Sequence, residues 1–389
     1  MTLTLLKGAN VFAPEALGVR EVLVAGGVIA AVAERIDLRG DAVSIVDARG
    51  LWLLPGLVDS LTHPCGGGGE GGFGNRTPEL TVADFANAGV TTPVGALGTD
   101  SITRSLEVLF GTVMALRAGG LGALMYTGAY RVPAPTLTGD VARDITLIEP
   151  VIGVGELAIS DHRSSQPSAA ELRRIGADAA LGGTLSGSGG RVLVHVGDGD
   201  SRLAPLRAGL ADSDLPTSTF YPTHVNRSVA LLDEAVAFTR GGGYADITVS
   251  TTPELVAAGD LPALAALEHA LAAGAVAGRL TLSSDAGGSL PVYTDGELTG
   301  LSAASPGVLL ELLQQAMRDA PALVQVVIAA LTANPAAALG LADRGRVQAG
   351  GRADLLLLEG DTGRLAAVMS GGRWLLNAGS TAPEPVSYT

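Results

Sequence analysis

The sequence predicts an α/β fold, a (β/α)8 TIM barrel with a small β-sandwich domain formed from both chain termini. Eight strand-like segments alternate with helix-like segments through the middle of the chain. Both ends instead contain short apolar runs separated by Gly, Pro and Asp. Hydrophobic residues make up 47% of the chain and aromatic residues only 4%, so the core is expected to consist of Ala, Val and Leu, as the inner layers of such barrels require.

The small β-sandwich domain is expected to comprise residues 1–54 and 345–389. At the N-terminus, the runs TLTLLKGANVF, REVLVAGGVIAAVAE and AVSIVDARG have strand length and are bounded by turn residues. The C-terminal runs GRVQAGGRADLLLLEG and LAAVMSGGRWLL likewise contain short apolar stretches separated by turn residues. The barrel domain is therefore expected over residues 55–344, inserted between the two halves of the small domain.

The eight barrel strands are predicted from strand-like segments in the middle of the chain. They are residues 51–60, 90–97, 121–128, 151–160, 191–196, 217–224, 245–250 and 280–285. Amphipathic or Ala-rich stretches such as PSAAELRRIGADAALGG separate most of them, which favours a parallel barrel. A doubly wound open sheet is the alternative, but the Gly-x-Gly-x-x-Gly turn after its first strand is missing, and GGGGEGG at residues 66–72 has the wrong spacing.

Composition excludes several classes of partner and compartment. The net charge of −14, without a basic stripe, argues against nucleic-acid binding. A single cysteine, Cys65, fits a reducing compartment. The N-terminus lacks a basic stretch followed by a long apolar run, and no run of about 20 uninterrupted apolar residues predicts a membrane span. These observations predict a cytoplasmic protein that does not bind membranes.

Imidazole and carboxylate side chains lie at or near the carboxyl ends of several predicted strands. Three of the five histidines occupy such positions, Glu156 lies late in the fourth strand, and Asp285 ends the eighth. Because the carboxyl ends of barrel strands meet at one face, these side chains are expected to converge. Their ligand types suit Zn²⁺. The predicted metal-binding residues are His63, Glu156, His195, His224 and Asp285.

Each of these residues also has a simpler interpretation. A lone histidine at a strand end is more commonly a hydrogen-bonded polar group than a ligand, and Asp285 alternatively caps the helix that follows it. His269 lies in an Ala- and Leu-rich helical segment and is expected to be structural. His162, in ISDHRSS after the fourth strand, is expected to lie beside the metal ligands without binding the metal itself, so it is not included among them. The number of separate strand ends involved favours the metal site.

Six segments, in chain order, resemble motifs of bacterial isoaspartyl (β-aspartyl) dipeptidases, which belong to the amidohydrolase superfamily. They are GLVDSLTHPCGGGGE, LGTDSITRS, TGAYRVP, VIGVGELAISDHRS, YPTHVNRS and LTLSSDAGGS. The resemblance covers nearly the whole chain. It implies a metal-dependent hydrolase that cleaves the isopeptide bond of β-aspartyl dipeptides and forms homo-oligomers, often octamers.

Two positions depart from the family pattern. The family has a His-x-His pair at the end of the first strand, whereas Leu61 here replaces the first histidine and His63 keeps the second. The family also uses a carboxylated lysine on the fourth strand to bridge two metals, and the matching residue here is Glu156. Leucine cannot bind a metal, but glutamate supplies a permanent carboxylate.

These departures change the expected number of metals. The trio of Glu156, His195 and His224 resembles the single-metal site of deacetylases that act on N-acetylglucosamine phosphate. We therefore expect one firm Zn²⁺ site at this trio. A second site near His63 and Asp285 is expected to be weak or absent.

The resemblance also implies roles in catalysis and substrate binding. Asp285 is expected to take a proton from the attacking water and pass it to the departing amine, and Tyr130 to stabilise the oxyanion. The glutamate in the glycine-rich loop would pair with the substrate ammonium, two arginines would bind carboxylates, and two hydroxyls would donate hydrogen bonds to a carboxylate. The substrate-binding residues are Glu70, Thr99, Tyr130, Arg163, Arg227 and Ser289. Alternatively, they are solvated surface residues.

Two other functions remain open. The first is deacylation of another N-acyl or cyclic amide substrate, because a carboxylate such as Glu156 is typical of superfamily members outside the dipeptidases. The second is a metal-poor relative that binds a dicarboxylate or a partner without catalysis, which Leu61 suggests. Because the substrate-binding motifs are intact and only the metal set is altered, the dipeptidase function is favoured.

Overall fold

The computed structural model of the chain describes residues 3–294 and 297–376. Residues 377–389, assigned above to the small domain, lie outside the described residues. The strands are β1 (Leu3–Phe12), β2 (Ala16–Ala25), β3 (Val28–Ala33), β4 (Val43–Asp47), β5 (Leu51–Pro55), β6 (Leu57–Thr62), β7 (Val90–Gly95), β8 (Leu124–Thr127), β9 (Val151–Ile159), β10 (Arg191–Val196), β11 (Phe220–Thr223), β12 (Ala245–Thr248), β13 (Leu280–Ser283), β14 (Ser289–Thr294), β15 (Glu297–Ala303), β16 (Leu355–Glu359), β17 (Leu365–Ser370) and β18 (Arg373–Leu376).

The α-helices lie mainly between the strands of the middle region. They are α1 (Val82–Asn87), α2 (Leu106–Ala118), α3 (Val141–Leu147), α4 (Ala169–Ser186), α5 (Ala204–Leu210), α6 (Val229–Arg240), α7 (Pro253–Ala258), α8 (Ala263–Ala272), α9 (Val308–Asp319), α10 (Val324–Leu331) and α11 (Ala333–Leu339). Local sequence explains several of their boundaries. Helix α4, for example, begins at a capping box between Ser168 and Glu171 and ends at Gly187 in the left-handed conformation.

The two chain ends form one mixed sheet with its own apolar core. Its strand order is β18-β17-β16-β5-β1-β2-β3, with β4 paired to β1. The N- and C-terminal halves meet where β16 runs antiparallel to β5. Leu6, Val11, Leu53, Leu357 and Met369 are buried together in this core. The small β-sandwich domain predicted from both termini is therefore confirmed as part of the fold class, whereas its boundaries stay a prediction.

The middle of the chain forms the predicted parallel barrel. Strands β6 to β11 pair in sequence order, and β12 pairs in parallel with β13. Strand β11 packs against β12, and β13 lies against β6, where Thr62 and Ala286 form a parallel bridge. The eight strands thus close into a ring. The carboxyl ends of all of them consequently lie at one mouth.

One strand boundary differs from the sequence prediction. Residues 51–60 are predicted as a single strand, but β5 belongs to the small domain and β6 to the barrel. The chain passes between the domains at Gly56, where a Cβ atom would lie 2.2 Å from Oγ1 of Thr91. Both segments are apolar, so hydrophobic pattern alone did not separate them.

An apolar cluster fills the barrel interior below the mouth. It includes Val58, Leu61, Tyr126 and Leu193 from the strands and Leu339 from α11. Leu61, which replaces the first histidine of the family pair, is fully buried in this cluster. Its side chain therefore contributes to packing and offers no donor atom.

One helical stretch bears on the expectation that no segment spans a membrane. Residues Pro321–Leu339 are long and apolar enough to cross a membrane by length and composition, although polar residues such as Gln325 and Asn334 interrupt the apolar run. However, 67% of its most apolar window is buried inside the protein. Burial of this kind is typical of a core helix.

Candidate active site

Three side chains at the barrel mouth are arranged to hold a metal ion. Glu156 Oε1 lies 2.8 Å from His195 Nδ1 and 3.1 Å from His224 Nε2. One ligand atom from each residue lies within 4.8 Å of the other two, and all three side chains are buried. They come from neighbouring strands, since β9 and β10 carry the first two and His224 follows β11. Two imidazoles and a carboxylate form a donor set that suits Zn²⁺.

The pKa shifts of Glu156 and His224 also fit a metal. Burial alone would raise the pKa of Glu156, but the neighbouring histidines outweigh it and hold that pKa well below its usual range. Burial and the adjacent His195 lower the pKa of His224 to about 4. The second oxygen of Glu156, Oε2, is buried without a hydrogen-bond partner among the described residues. An ionised carboxylate and a neutral imidazole are the forms that bind metals.

His63 and Asp285 lie beside the trio. The Nε2 atom of His63 is 3.0 Å from Asp285 Oδ1 and 3.6 Å from Glu156 Oε2. Its Nδ1 atom faces the carbonyl oxygen of Ala96 at 3.0 Å. Burial would lower the pKa of His63, but its contact with Asp285 and the charge of Glu156 raise it to about 9. All five residues predicted as metal ligands therefore meet, and Glu156 lies between two subsets of them.

Backbone geometry at the strand ends directs these side chains. Both His224 and Asp285 have positive φ angles, 61° and 54°, which residues other than glycine rarely adopt. Such strain is typical of functional sites that the surrounding structure holds in place. The turn after Asp285 requires Gly287, because a Cβ atom there would lie 2.3 Å from the carbonyl oxygen of His63. The loops that carry His63 and Asp285 are thus packed tightly together.

The residues predicted to bind substrate meet at one small cavity of about 60 Å³. It lies beside a larger cavity of about 480 Å³, whose lining includes Leu290, Pro291 and Leu301. The small cavity is lined by Glu70, Thr99, Tyr130, Arg163, Arg227 and Ser289, together with His63, His195 and Asp285. A still larger cavity, of about 930 Å³, lies nearby but contains none of the predicted site residues.

Glu70 is held in place through one of its two oxygens. Its Oε1 accepts hydrogen bonds from Thr99 Oγ1 at 2.9 Å and from Arg163 Nη1 at 3.1 Å. Its Oε2 is buried and, within residues 3–294 and 297–376, has no hydrogen-bond partner. A buried carboxylate oxygen without a donor indicates a place for a cationic or hydrogen-bonding group of a ligand.

Tyr130 reaches the metal-binding trio. Its hydroxyl lies 2.7 Å from His195 Nδ1, and the Arg163 guanidinium lies 5.6 Å from the centre of its ring. Burial and the charge of Glu156 raise the pKa of Tyr130 well above its usual value. The phenol therefore stays protonated and can donate a hydrogen bond.

Asp161 is a site residue absent from the sequence-based prediction. Its carboxylate accepts hydrogen bonds from Arg163 Nε at 2.9 Å and Nη2 at 2.7 Å. Its Oδ2 also lies 3.1 Å from His195 Nε2 and 3.9 Å from Arg227 Nη1. The motif SDHRS contains a signal for this residue, because it places a carboxylate just after β9, the strand that carries Glu156. In sequence, however, an aspartate two residues before an arginine is equally typical of a surface ion pair.

The two remaining histidines lie away from the metal-binding trio. His162 is exposed at the rim of the larger cavity, with Nδ1 3.6 Å from Asp161 Oδ1. His269, on α8, lies 2.7 Å from Asp233 Oδ1 of α6.

Thr248 is another site residue that the sequence-based prediction missed. It ends β12, and its Oγ1 lies 2.6 Å from His224 Nδ1.

Comparisons with known proteins agree with this site. Residues 213–375 match the model of the amidohydrolase family. A β-aspartyl dipeptidase from the thermophilic keratin-degrading bacterium Fervidobacterium islandicum AW-1 is 37% identical, with 99% of this chain and 100% of that chain covered and a TM-score of 0.89. The structure of the enzyme from that bacterium in complex with a β-Asp-Leu dipeptide matches at 38% identity, 99% coverage of each chain and a TM-score of 0.91.

More distant similarity extends to other members of the fold. N-acetylglucosamine-6-phosphate deacetylase from Pasteurella multocida is 14% identical, over 96% of this chain and all of that one, with a TM-score of 0.61. That level of identity supports the shared fold alone. The identity to the Fervidobacterium protein extends over almost the whole of both chains, so this chain belongs to the β-aspartyl dipeptidase family of the amidohydrolases.

Proposed function

We propose that the protein is a metal-dependent hydrolase that cleaves the isopeptide bond of β-aspartyl dipeptides. The observation that carries the proposal is the small cavity where acidic, basic and hydroxyl side chains surround a buried Glu-His-His trio. Full-length similarity to a β-aspartyl dipeptidase, one structure of which contains β-Asp-Leu, supports the same substrate class.

The charges around the cavity complement such a dipeptide. A β-aspartyl dipeptide carries an α-ammonium group and two carboxylates in addition to the scissile bond. The Oε2 atom of Glu70, which has no hydrogen-bond partner among the described residues, would accept a hydrogen bond from the ammonium group. Arg163 and Arg227 would bind carboxylates, since a planar guanidinium donates two parallel hydrogen bonds to such a group. Thr99 and Ser289 would add hydroxyl donors.

The trio of Glu156, His195 and His224 would hold one Zn²⁺. When bound there, the metal supplies a Lewis acid that polarises a carbonyl and acidifies water. Two imidazoles, a carboxylate and the unpaired Glu156 Oε2 support this assignment. A second metal beside His63 and Asp285 would be weak or absent, because Leu61 removes a ligand and packs into the apolar cluster of the barrel.

The remaining side chains would move protons and stabilise charge. Asp285 accepts a proton from the attacking water and delivers it to the departing amine, which makes the amine a better leaving group. His63 Nε2 lies 3.0 Å from Oδ1 of Asp285, so a protonated His63 would form an ion pair that helps to orient the carboxylate. Tyr130, which stays protonated, donates a hydrogen bond to the carbonyl oxygen as negative charge develops on it.

The direct test is a substrate comparison with purified protein loaded with Zn²⁺. We expect hydrolysis of β-Asp-Leu, and little or none of α-Asp-Leu or N-acetyl-leucine. The α-linked isomer is the matched control, because it has the same atoms and charges with a different linkage. Preference for N-acetyl-leucine would support the runner-up, a deacylase of N-acyl or cyclic amides, which Glu156 favours. No turnover and no bound metal would instead support a non-catalytic relative.

Assembly and location are proposed on family grounds. Family resemblance supports a homo-oligomer, with an octamer as the specific expectation, and light scattering of the purified protein would test it. The single buried cysteine, Cys65, supports a cytoplasmic location. Fractionation of cells that express the tagged protein would check this assignment.

A further inference from the structure

We infer that Asp161 is a positioning residue that couples the metal ligand His195 to the substrate-binding Arg163 through one carboxylate. The inference rests on the proposed function and extends it to a residue that neither donates to a metal nor is expected to touch the scissile bond. Asp161 follows β9, the strand that carries Glu156, and its side chain is almost fully buried.

The carboxylate of Asp161 divides its two oxygens between neighbours. Oδ1 accepts from the backbone N–H of Arg163 at 2.7 Å and from its Nε at 2.9 Å. Oδ2 accepts from Arg163 Nη2 at 2.7 Å and lies 3.1 Å from His195 Nε2. The Arg227 guanidinium adds a longer ion pair to Oδ2 at 3.9 Å. One buried anion thus contacts three residues of the proposed site.

These contacts assign roles to the two ring nitrogens of His195 for the case in which a metal is bound at the trio. Arg163 Nη2 lies 3.3 Å from His195 Nε2, but a guanidinium only donates, so this pair is not a hydrogen bond when Nε2 is protonated. Each ring nitrogen faces a carboxylate oxygen, Nε2 that of Asp161 at 3.1 Å and Nδ1 that of Glu156 at 2.8 Å. A neutral imidazole therefore needs a cation beside its unprotonated nitrogen, and the group that could hold a metal lies on the Nδ1 side. The consistent arrangement has Nε2–H and Arg163 both donating to Oδ2.

A metal bound through Nδ1 of His195 would leave the ring proton on Nε2, which faces Asp161. Nδ1 is the atom that faces Glu156 Oε1, at 2.8 Å, within the trio. A metal-binding histidine that donates its other N–H to a carboxylate is oriented by that carboxylate and becomes a stronger ligand. Asp161 would therefore strengthen metal binding at His195 while holding Arg163 for the substrate.

The second histidine of the trio has a weaker outer partner. His224 Nδ1 lies 2.6 Å from the hydroxyl of Thr248, which is neutral. A charged acceptor stabilises an N–H donor more than a neutral one does. The affinity for Zn²⁺ is thus expected to depend more on Asp161, the partner of His195, than on Thr248, the partner of His224. Thr248→Val, which removes the hydroxyl at little change in volume, is the matched control for a change at Asp161.

The decisive measurement is Zn²⁺ affinity without substrate, by competition with a chromophoric chelator. We expect Asp161→Asn to bind Zn²⁺ about 10- to 100-fold more weakly than the wild type, as for other outer-shell carboxylates, and Thr248→Val to lose less. Arg163→Gln, which leaves both Asp161 and His195 in place, should lose less Zn²⁺ affinity than Asp161→Asn but raise KM for β-Asp-Leu. A folded Asp161→Asn variant with wild-type Zn²⁺ affinity would overturn the inference.

If Asp161→Asn does not fold, two other measurements test the inference. Asp161→Glu keeps the charge and should bind Zn²⁺ less than about 10-fold more weakly than the wild type. In the Zn²⁺-loaded wild type, long-range ¹H–¹⁵N NMR should show His195 with Nε2 protonated and Nδ1 bound to the metal, and the opposite assignment would overturn the inference. Because these readouts need no substrate, the inference and the proposed dipeptidase activity can fail independently.

Discussion

His63 and Asp285 meet at the seam where the barrel closes, with Nε2 of the histidine 3.0 Å from Oδ1 of the aspartate. Neither residue belongs to the trio that could hold a metal. The backbone strengthens this pairing, because His63 N–H donates to the carbonyl oxygen of Ala286 at 2.6 Å. Asp285 thus lies at the edge of the trio, beside a histidine.

Replacing Asp285 with Asn should abolish most turnover while largely sparing metal binding. General acid–base groups contribute about 10²- to 10⁴-fold to rate, so kcat should fall by about that factor. Zn²⁺ content measured by elemental analysis should stay close to that of the wild type. Loss of the metal together with turnover would instead show that Asp285 is a principal ligand.

Replacing Glu156 should remove metal and activity together. Its Oε1 faces both histidines of the trio, so Glu156→Ala leaves them without the shared anion. We expect Zn²⁺ content and hydrolysis of β-Asp-Leu both to fall to background. A Glu156→Ala protein that kept metal content and turnover would exclude the single-metal hypothesis.

The stoichiometry of bound metal should depend on Leu61. Elemental analysis or anomalous scattering of the wild type should count a single Zn²⁺ per chain. Leu61→His restores the His-x-His pair and should raise the count towards two, at a cost in thermal stability, because Leu61 is fully buried in an apolar cluster. Leu61→Met is the control for packing and should leave the count unchanged. Two metals in the wild type would contradict the proposed stoichiometry.

Replacing Glu70 should weaken substrate binding more than it slows chemistry. Hydrogen bonds to charged groups contribute about 1.5–3 kcal/mol, so Glu70→Gln should raise KM for β-Asp-Leu by about 10- to 100-fold. The exposed Glu79, in the same region of the chain, provides the control, and Glu79→Gln should have wild-type KM. An unchanged KM for Glu70→Gln would exclude the assigned contact with the ammonium.

The pH dependence of stability should reveal a buried acid beneath the mouth. Asp59 accepts a hydrogen bond from the backbone N–H of Ser284 at 3.0 Å, and burial raises its pKa from 3.8 to about 7. Its carboxyl group takes up a proton more readily in the folded chain than in the unfolded chain. Its contribution to stability is therefore complete below about pH 4 and is lost as the pH rises towards 7.

Thermal melts of metal-free wild type and Asp59→Asn between pH 4 and pH 8 test this. The melting temperature of the variant minus that of the wild type should increase with pH up to about 7, with a slope of at most about 1.4 kcal/mol per pH unit in stability. Asp41, which is exposed in the small domain, supplies the control, so Asp41→Asn should follow the wild type at every pH. A constant difference for Asp59→Asn would contradict the raised pKa.

Much of the fold and part of the site were predictable because their signals are local. Alternating apolar segments and turn residues identify the strands, and a parallel barrel brings all their carboxyl ends to one mouth. These two signals bring His63, Glu156, His195, His224 and Asp285 to one mouth. The resemblance to deacetylases of N-acetylglucosamine phosphate is what singled out Glu156, His195 and His224 among them. The two signals do not separate β5 from β6, because both are apolar and the domain boundary depends on a close approach of Gly56 to Thr91.

The sequence by itself determined which elements form, which side chains end the strands, and that Leu61 cannot bind a metal. Only the tertiary structure decided which of those side chains face one another. The pairing of His63 with Asp285 depends on ring closure between β6 and β13. The contacts of Asp161 with His195 and Arg163 depend on how the chain turns after β9. Periodicity records which face of an element is buried, whereas contact between distant side chains depends on packing in three dimensions.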